Sequence, residues 1–346
     1  VQTCALPICE LAHASGKTLL EGYVVGFEIE CRLGEVMNPR HYHERGWHCT
    51  STIGTVGAAA AAARILGLPT EATRHALGIA ASAACGLKEN MGSMVKPLHA
   101  GMAARNGLMA ALLAQGGYTA SDRAIEGPQG FLAVMDAQRP TLDSVGNLES
   151  HWEILTTGIT VKLYPSCAAT HPTLDVVLDL VRIHRLGADD IVSIDVEIDS
   201  MTPRLLMYDR PRTGLEGKFS LPFCVATAIV HGAPSIDTFE LATIEQPAIQ
   251  ALLPKIRMRV NTEFDASVPL SQTRVTMRLR DGRAITESRQ GARGGSAQPA
   301  TNDDLAAKFA ACARRALSPA ASDRAWSTLQ RLRDLHDIAE LTQHLH

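Results

Sequence analysis

Aromatic side chains are scarce in this sequence. Phe, Trp and Tyr make up 4% of its 346 residues, although 46% of the chain is hydrophobic. The apolar content therefore lies in alanine and aliphatic side chains, which suit closely packed helices better than an aromatic-rich barrel or sandwich. A surplus of either charge is also missing: 33 Lys and Arg stand against 36 Asp and Glu, for a net charge of -3. No broad positive field exists to gather DNA, RNA or anionic lipid, and nucleic acid ranks last among possible partners. The eight cysteines, at 4, 9, 31, 49, 85, 167, 224 and 312, include no CxxC pair and lack the density of a secreted disulfide scaffold. Reduced thiols in a cytoplasmic protein are the expectation. Long apolar runs are absent as well. The longest, Ile53 to Ala63 and Gly107 to Gly117, are too short to span a bilayer, and Arg64 and Arg105 stand beside them. The first residues lack the basic stretch and apolar block of a secretory signal. No GxSxG elbow, HExxH helix, P-loop or GxGxxG after a strand occurs, so hydrolase, zincin, nucleotide and dinucleotide readings lack their mechanical parts.

What is present divides the chain in two. Apolar residues return at spacings near three and four from Lys17 to Val36, and further helices are predicted over Thr50 to Leu66, Thr70 to Cys85 and Leu98 to Gln115. Thr70 is a plausible N-cap, with Gly67, Gly86 and Gly116 as terminators. The run Ala58 to Ala63 makes a slim helix that a neighbour can approach closely, which places it deep in a bundle. After about Thr156 the period changes to two. Residues 159–163, 192–198, 256–260 and 275–279 alternate as strands, and Asp281-Gly282 turns the last into a fifth candidate over 284–289. Helices over 172–185 and 219–231 interrupt the series. The acidic positions Asp195, Glu197 and Asp199 can pair across strands with Arg257, Arg259, Arg274, Arg278 and Arg280, which helps to set strand order. Thr301 and Asp304 form a capping-box variant, and two more helices start near Ser322 and Asp337. The expected fold is mostly α: a helical domain over residues 1–156, a smaller α+β domain with an antiparallel sheet over 157–299, and C-terminal helices over 300–346 that return to the helical domain.

Two segments carry the chemistry. His48, in Gly46-Trp47-His48-Cys49-Thr50-Ser51, and Lys96, in Gly92-Ser93-Met94-Val95-Lys96-Pro97-Leu98-His99, each precede a predicted helix. Helix N-termini present unpaired N–H groups and a positive dipole end, so a small carboxylate or phosphate is readily held there. From these residues alone, a solvated loop lysine and a hydrogen-bonded packing histidine account for them better. His41, His43 and His48 share a loop with no acidic or cysteine cluster, which is a weak metal signal, and no metal is expected. Cys49 at a helix start is either a nucleophile or a small buried residue, and burial is the preferred reading.

Several motifs in one order resemble the MmgE/PrpD family, which includes 2-methylcitrate dehydratase and cis-aconitate decarboxylase. They are Trp47 to Gly54 leading into the alanine-rich helix, Met94 to Gly101 with Ala103-Ala104-Arg105, Glu126 to Phe131, Lys162 to Cys167 with His171, and Tyr208-Asp209-Arg210-Pro211 before Lys218 to Pro222. The resemblance covers nearly everything from Leu11 to the last helices. It implies a large helical domain with an α+β lid, a homodimer, and a cofactor-free cleft acting on small di- or tricarboxylates. His48, Lys96 and Tyr208 match active-site positions of the family. Ser166, Lys162, His99 and Arg210 are the expected substrate contacts. Ser166 stands where some relatives carry an active-site histidine, and serine cannot switch charge as imidazole does. Relatives also have a preceding helical segment with further active-site residues, so the chain reads as an N-terminally truncated member in which Val1 to about Cys9 are foreign. The expected reaction is loss of water from a 2-methylcitrate-like acid. Decarboxylation or isomerisation of an aconitate-like acid is the alternative within enzymes, and an inactive fragment that only dimerises or binds ligand is the alternative outside them.

Overall fold

A computed structural model describes residues 2–135, 150–266 and 272–345. The chain forms two units, Val1–Gly158 with Ala316–His346, and Ile159–Arg315. The first includes the helices α1 (Gln2–Leu11), α2 (Gly16–Met37), α3 (Cys49–Ile65), α4 (Thr70–Ala83) and α5 (Val95–Gln115). Residues Ser51 to Ala63 of α3 are all buried, and α1, α2, α4 and α5 pack around it. Small side chains permit this enclosure, because helix axes approach only as closely as the residues at the crossing allow. At Gly107 of α5 an added Cβ would lie 2.5 Å from the Ala58 Cβ and 2.6 Å from the Ala59 nitrogen. Glycine is required there by the neighbouring backbone.

Helix starts differ in detail from the sequence expectation. Thr70 is not the cap of α4, because Pro69 occupies that position in an extended conformation and makes no side-chain cap bond. Helix α5 begins three residues earlier than predicted, at Val95. Pro97 falls within its first turn, where a missing N–H costs no helical bond. Lys96 therefore belongs to the first turn of α5. Against the expectation of a foreign start, three residues of α1, Ala5, Ile8 and Cys9, are buried in one cluster with Ala62, Ala111 and Leu335. They are part of the helical core.

The second unit contains α6 (His171–His184), α7 (Leu221–His231), α8 (Asn302–Ala313) and a four-stranded sheet. Its strands are β1 (Ile191–Ile198), β2 (Ile256–Val260), β3 (Gln272–Leu279) and β4 (Ala284–Gln290), in the order β2-β1-β3-β4. The sheet is mixed. β1 pairs antiparallel with β3 but parallel with β2, correcting the expected all-antiparallel arrangement. A parallel neighbour needs a long crossover, and the helical chain between Ile198 and Ile256, which includes α7, supplies it. Residues 159–163 form no strand. The Val161 N–H donates instead to the Gly294 carbonyl in a turn.

The alternation itself is sound. Ile194, Val196, Val275 and Met277 are buried in one core with Leu174 and Val177 of α6 and Phe223 of α7. On the other face Arg259 pairs with Asp195 at 2.7 Å and Arg274 with Glu197 at 3.0 Å. Asp199 lies beyond β1. Its buried carboxylate accepts from the Met201 and Thr202 N–H groups and the Thr202 hydroxyl, which turns the chain out of the strand. Thr301 and Asp304 form the expected capping box at α8, which belongs to this second unit. The last long helix, α9 (Pro319–Leu329), belongs to the first and is capped by Ser318 rather than starting at Ser322. Among the described residues no helix is long and apolar enough to cross a membrane.

The crossing at Gly107 can be tested against an open position on the same helix. Gly107→Ala must push α3 from α5 and is expected to cost about 1–3 kcal/mol. At Gly101 nothing lies within 4 Å of an added Cβ, so Gly101→Ala should gain up to about 1 kcal/mol of helix propensity. Urea denaturation of the two variants measures both signs.

Candidate functional site

Backbone pairing sets the position of His48. Trp47 and Leu87 form an antiparallel bridge, the His48 N–H donates to the Gly86 carbonyl at 3.0 Å, and the Lys88 N–H donates to that of Gly46 at 2.8 Å. Gly86 has φ +153°, and its added Cβ would meet the Ser51 Cβ at 2.5 Å. A side chain there would separate this bridge from the start of α3. His48 is the N-cap residue of α3, but its imidazole makes no cap bond and is turned elsewhere. Its Nδ1 lies 2.9 Å from the Nδ1 of His99, one turn into α5. Both rings are buried, at 5% and 4% relative exposure. Lys96, three residues before His99, is half-buried in the first turn. Burial and the Lys96 ammonium both hold the His99 imidazole below its ordinary pKa. Three sequence-predicted residues, His48, Lys96 and His99, are thus brought together in one unit.

His41 and Cys49 are held by structural contacts. His41 directs Nε2 to the Thr52 hydroxyl at 2.8 Å and Nδ1 to the Met135 carbonyl at 3.1 Å, so neither nitrogen is open to a metal. Among the described residues no group of three or more His, Cys, Asp or Glu is placed to hold one. Burial pushes the Cys49 thiol up, against a role as nucleophile. A cleft of about 500 Å³ opens between α2, α3 and α5, lined by residues such as Tyr23, Phe27, Glu30, Cys49, Thr50 and Ala103. Burial raises the Glu30 carboxyl within it. His48, Lys96 and His99 are not among its lining residues.

The second unit holds the remaining expected contacts. Ser166 is buried and shares a hydrogen bond of 2.7 Å with the Thr170 hydroxyl. Lys162 is exposed, and its carbonyl accepts from the Lys308 ammonium at 2.6 Å. Tyr208 is half-buried on a different loop, with its N–H on the Phe219 carbonyl, and Arg210 beside it is exposed. No role is expected of His171 from the sequence. Only 2% exposed, it packs edge-on against Tyr164 at 5.1 Å, and its Nε2 has no hydrogen-bond partner. Burial depresses its pKa to about 4, so the ring is neutral. Four residues on, the fully buried Asp175 accepts from the Tyr164 hydroxyl at 2.7 Å, from the Arg293 N–H at 2.7 Å and from the Arg293 guanidinium at 2.9 Å. This network ties the Tyr164 segment to α6. Its only sequence signal was the Tyr164-Pro165 motif with His171.

Two family models match the chain. The MmgE/PrpD N-terminal domain matches residues 1–142, and the MmgE/PrpD C-terminal domain matches residues 164–334. The first of these matches includes residues 1–9. A cis-aconitate decarboxylase of Aspergillus terreus is 30% identical over 293 residues, 79% of this chain and 59% of that protein. The cis-aconitate decarboxylases of Mus musculus and Homo sapiens are each 28% identical, over 98% and 95% of this chain and 70% and 69% of their own lengths. The chain thus spans less than two thirds of the Aspergillus relative.

The neutral His171 gives a pH signature. Its folded pKa of about 4 lies below the ordinary 6.5, so the unfolded chain takes up the proton first as pH falls. Its contribution is complete above pH 6.5 and is lost by about 1.4 kcal/mol per pH unit between there and about 4. Urea unfolding followed from pH 7 to 4.5 should show a shallower pH slope for His171→Phe than for the wild type. Equal slopes would assign the titration elsewhere.

Proposed function

The chain belongs to the MmgE/PrpD family, and on that premise we propose that it is a lyase of small di- or tricarboxylates that decarboxylates a cis-aconitate-like acid. The observation that carries this reading is the His48–His99 pair beside Lys96, with both elements at helix starts. The first turn of α5 is the positive end of a long helix, which suits a substrate carboxylate. Lys96 adds a fixed cation. As carbon dioxide departs, the electron pair of the broken C–C bond stays on the carbon skeleton, and a general acid must deliver a proton to it. His48 is the proposed donor. Lys96 holds a remaining carboxylate and offsets the charge that develops. By resemblance to the family, Tyr208 is proposed as a hydrogen-bond or proton donor and Ser166, Lys162 and Arg210 as carboxylate contacts, each within the second unit. A homodimer in the cytoplasm is part of the same proposal.

The names of the relatives favour decarboxylation over the loss of water expected from the motifs. The two reactions differ in what they keep. Loss of water retains every carboxylate, whereas decarboxylation removes one. Incubation with ¹³C-labelled cis-aconitate and, separately, with 2-methylcitrate, followed by NMR, should show labelled carbon dioxide from the first and no product from the second. Lys96→Ala should lower turnover by about 10²- to 10³-fold. Wild-type turnover in that variant would overturn the site, and water loss from 2-methylcitrate would overturn the reaction.

A further inference from the structure

Lys162 is exposed on a segment that joins no strand, yet the peptide planes on both sides of its Cα are located by the rest of the second unit. On one side the Val161 N–H donates to the Gly294 carbonyl at 2.8 Å, and the Val161 carbonyl oxygen lies so close to Gly294 that an added Cβ there would collide with it. On the other side the Lys162 carbonyl accepts from the Lys308 ammonium of α8 at 2.6 Å. A residue has only two soft backbone dihedrals, so locating both planes also sets the direction of its Cα–Cβ bond. The Lys162 side chain therefore leaves the backbone in one direction. Surface connections are in general mobile and have no such requirement.

The Gly294 side of this arrangement leads back to one carboxylate. Asp175 of α6, fully buried, accepts from the Arg293 N–H at 2.7 Å and from the Arg293 Nε at 2.9 Å, which fixes the residue before Gly294. It also accepts from the Tyr164 hydroxyl at 2.7 Å, two residues after Lys162, and the Arg293 guanidinium donates to that same hydroxyl at 2.6 Å. One carboxylate thus holds Tyr164 on one side of Lys162 and the partner of Val161 on the other. Gly294 has φ +89°, and this left-handed backbone together with the Val161 contact admits only glycine.

We propose that Asp175, acting through Arg293-Gly294 and Tyr164, is a positioning residue for Lys162 and directs its ammonium to a carboxylate of the di- or tricarboxylate ligand. Asp175 itself is enclosed and touches no ligand. A lysine ammonium sits on a flexible four-carbon stem, and binding must order that stem. Fixing the stem at its root lowers the cost of ordering it and so strengthens binding. The proposal rests on the reading of Lys162 as a carboxylate contact and adds the device that aims it.

Citrate binding followed by calorimetry tests it, in a double-mutant cycle of Gly294→Ala with Lys162→Met. Gly294→Ala adds one methyl group and changes no charge, so its effect on a carboxylate must pass through the displaced backbone. Each single variant should weaken citrate binding by about tenfold or more, the scale of one hydrogen bond to a charged group. The double variant should lie within about twofold of Lys162→Met alone, because the two changes remove the same contact. Tyr164→Phe removes only a hydroxyl and should show the same non-additivity, which keeps the test open if Gly294→Ala does not fold. Losses that add in the double variants would mean that the network supports the fold alone, and would overturn the proposal. Unchanged affinity in Lys162→Met, or no citrate binding by the wild-type chain, would overturn it as well. Turnover of cis-aconitate is measured beside binding. A non-additive cycle with no turnover of any carboxylate would reject the lyase reading and leave the positioning role standing, while turnover with additive losses would do the reverse.

Discussion

The close approach of α3 and α5 is the constraint on which the first unit depends. Alanine along α3 and Gly107 on α5 let the two backbones meet at a distance that leucine would prevent. Because α3 starts at His48 and α5 carries Lys96 and His99 in its first turns, the same approach places two buried imidazoles in hydrogen-bond contact. A wider crossing would leave His48 and His99 as separate rings with independent tautomers. The scarcity of aromatic residues and the wealth of alanine are thus connected with the chemistry: they give the packing that makes the pair.

The two units treat buried histidine differently. In the first, His48 and His99 satisfy each other and His41 is bonded at both nitrogens, so burial is offset by hydrogen bonds. In the second, His171 is left with an unpartnered Nε2 and a pKa of about 4. Its neighbourhood is stabilised instead by Asp175, a buried carboxylate that gathers Tyr164 and Arg293 and anchors the segment containing Ser166 to α6. Removing one member of such a buried network costs more than its interactions contribute, because the others keep their desolvation penalty.

Local signals carried much of this into the sequence. The period near 3.6 located α2, α3 and α5, the period of two located β1, β2 and β3, the Asp281-Gly282 turn located β4, and Thr301 with Asp304 marked the cap of α8. Family motifs pointed to His48, Lys96 and His99. What stayed hidden depends on residues far apart. The parallel pairing of β2 with β1 follows from a crossover whose direction no strand records, and residues 159–163 alternate like a strand but join no strand ladder, the Val161 N–H donating instead to the Gly294 carbonyl. Asp199 reads as one more acidic strand position until its carboxylate is seen closing a turn. Likewise His48 and His99 are 51 residues apart, and no spacing rule says that their Nδ1 atoms meet.

The dependence of the pair on the helix crossing can be measured through the hydrogen bond itself, as a scalar coupling between the two Nδ1 nuclei in ¹⁵N-labelled protein. A coupling should be resolved in the wild-type chain and lost or much reduced in Gly107→Ala under conditions where that variant remains folded. No coupling in the wild-type chain, or an undiminished one in Gly107→Ala, would contradict the claim that the alanine and glycine contact between α3 and α5 builds the site.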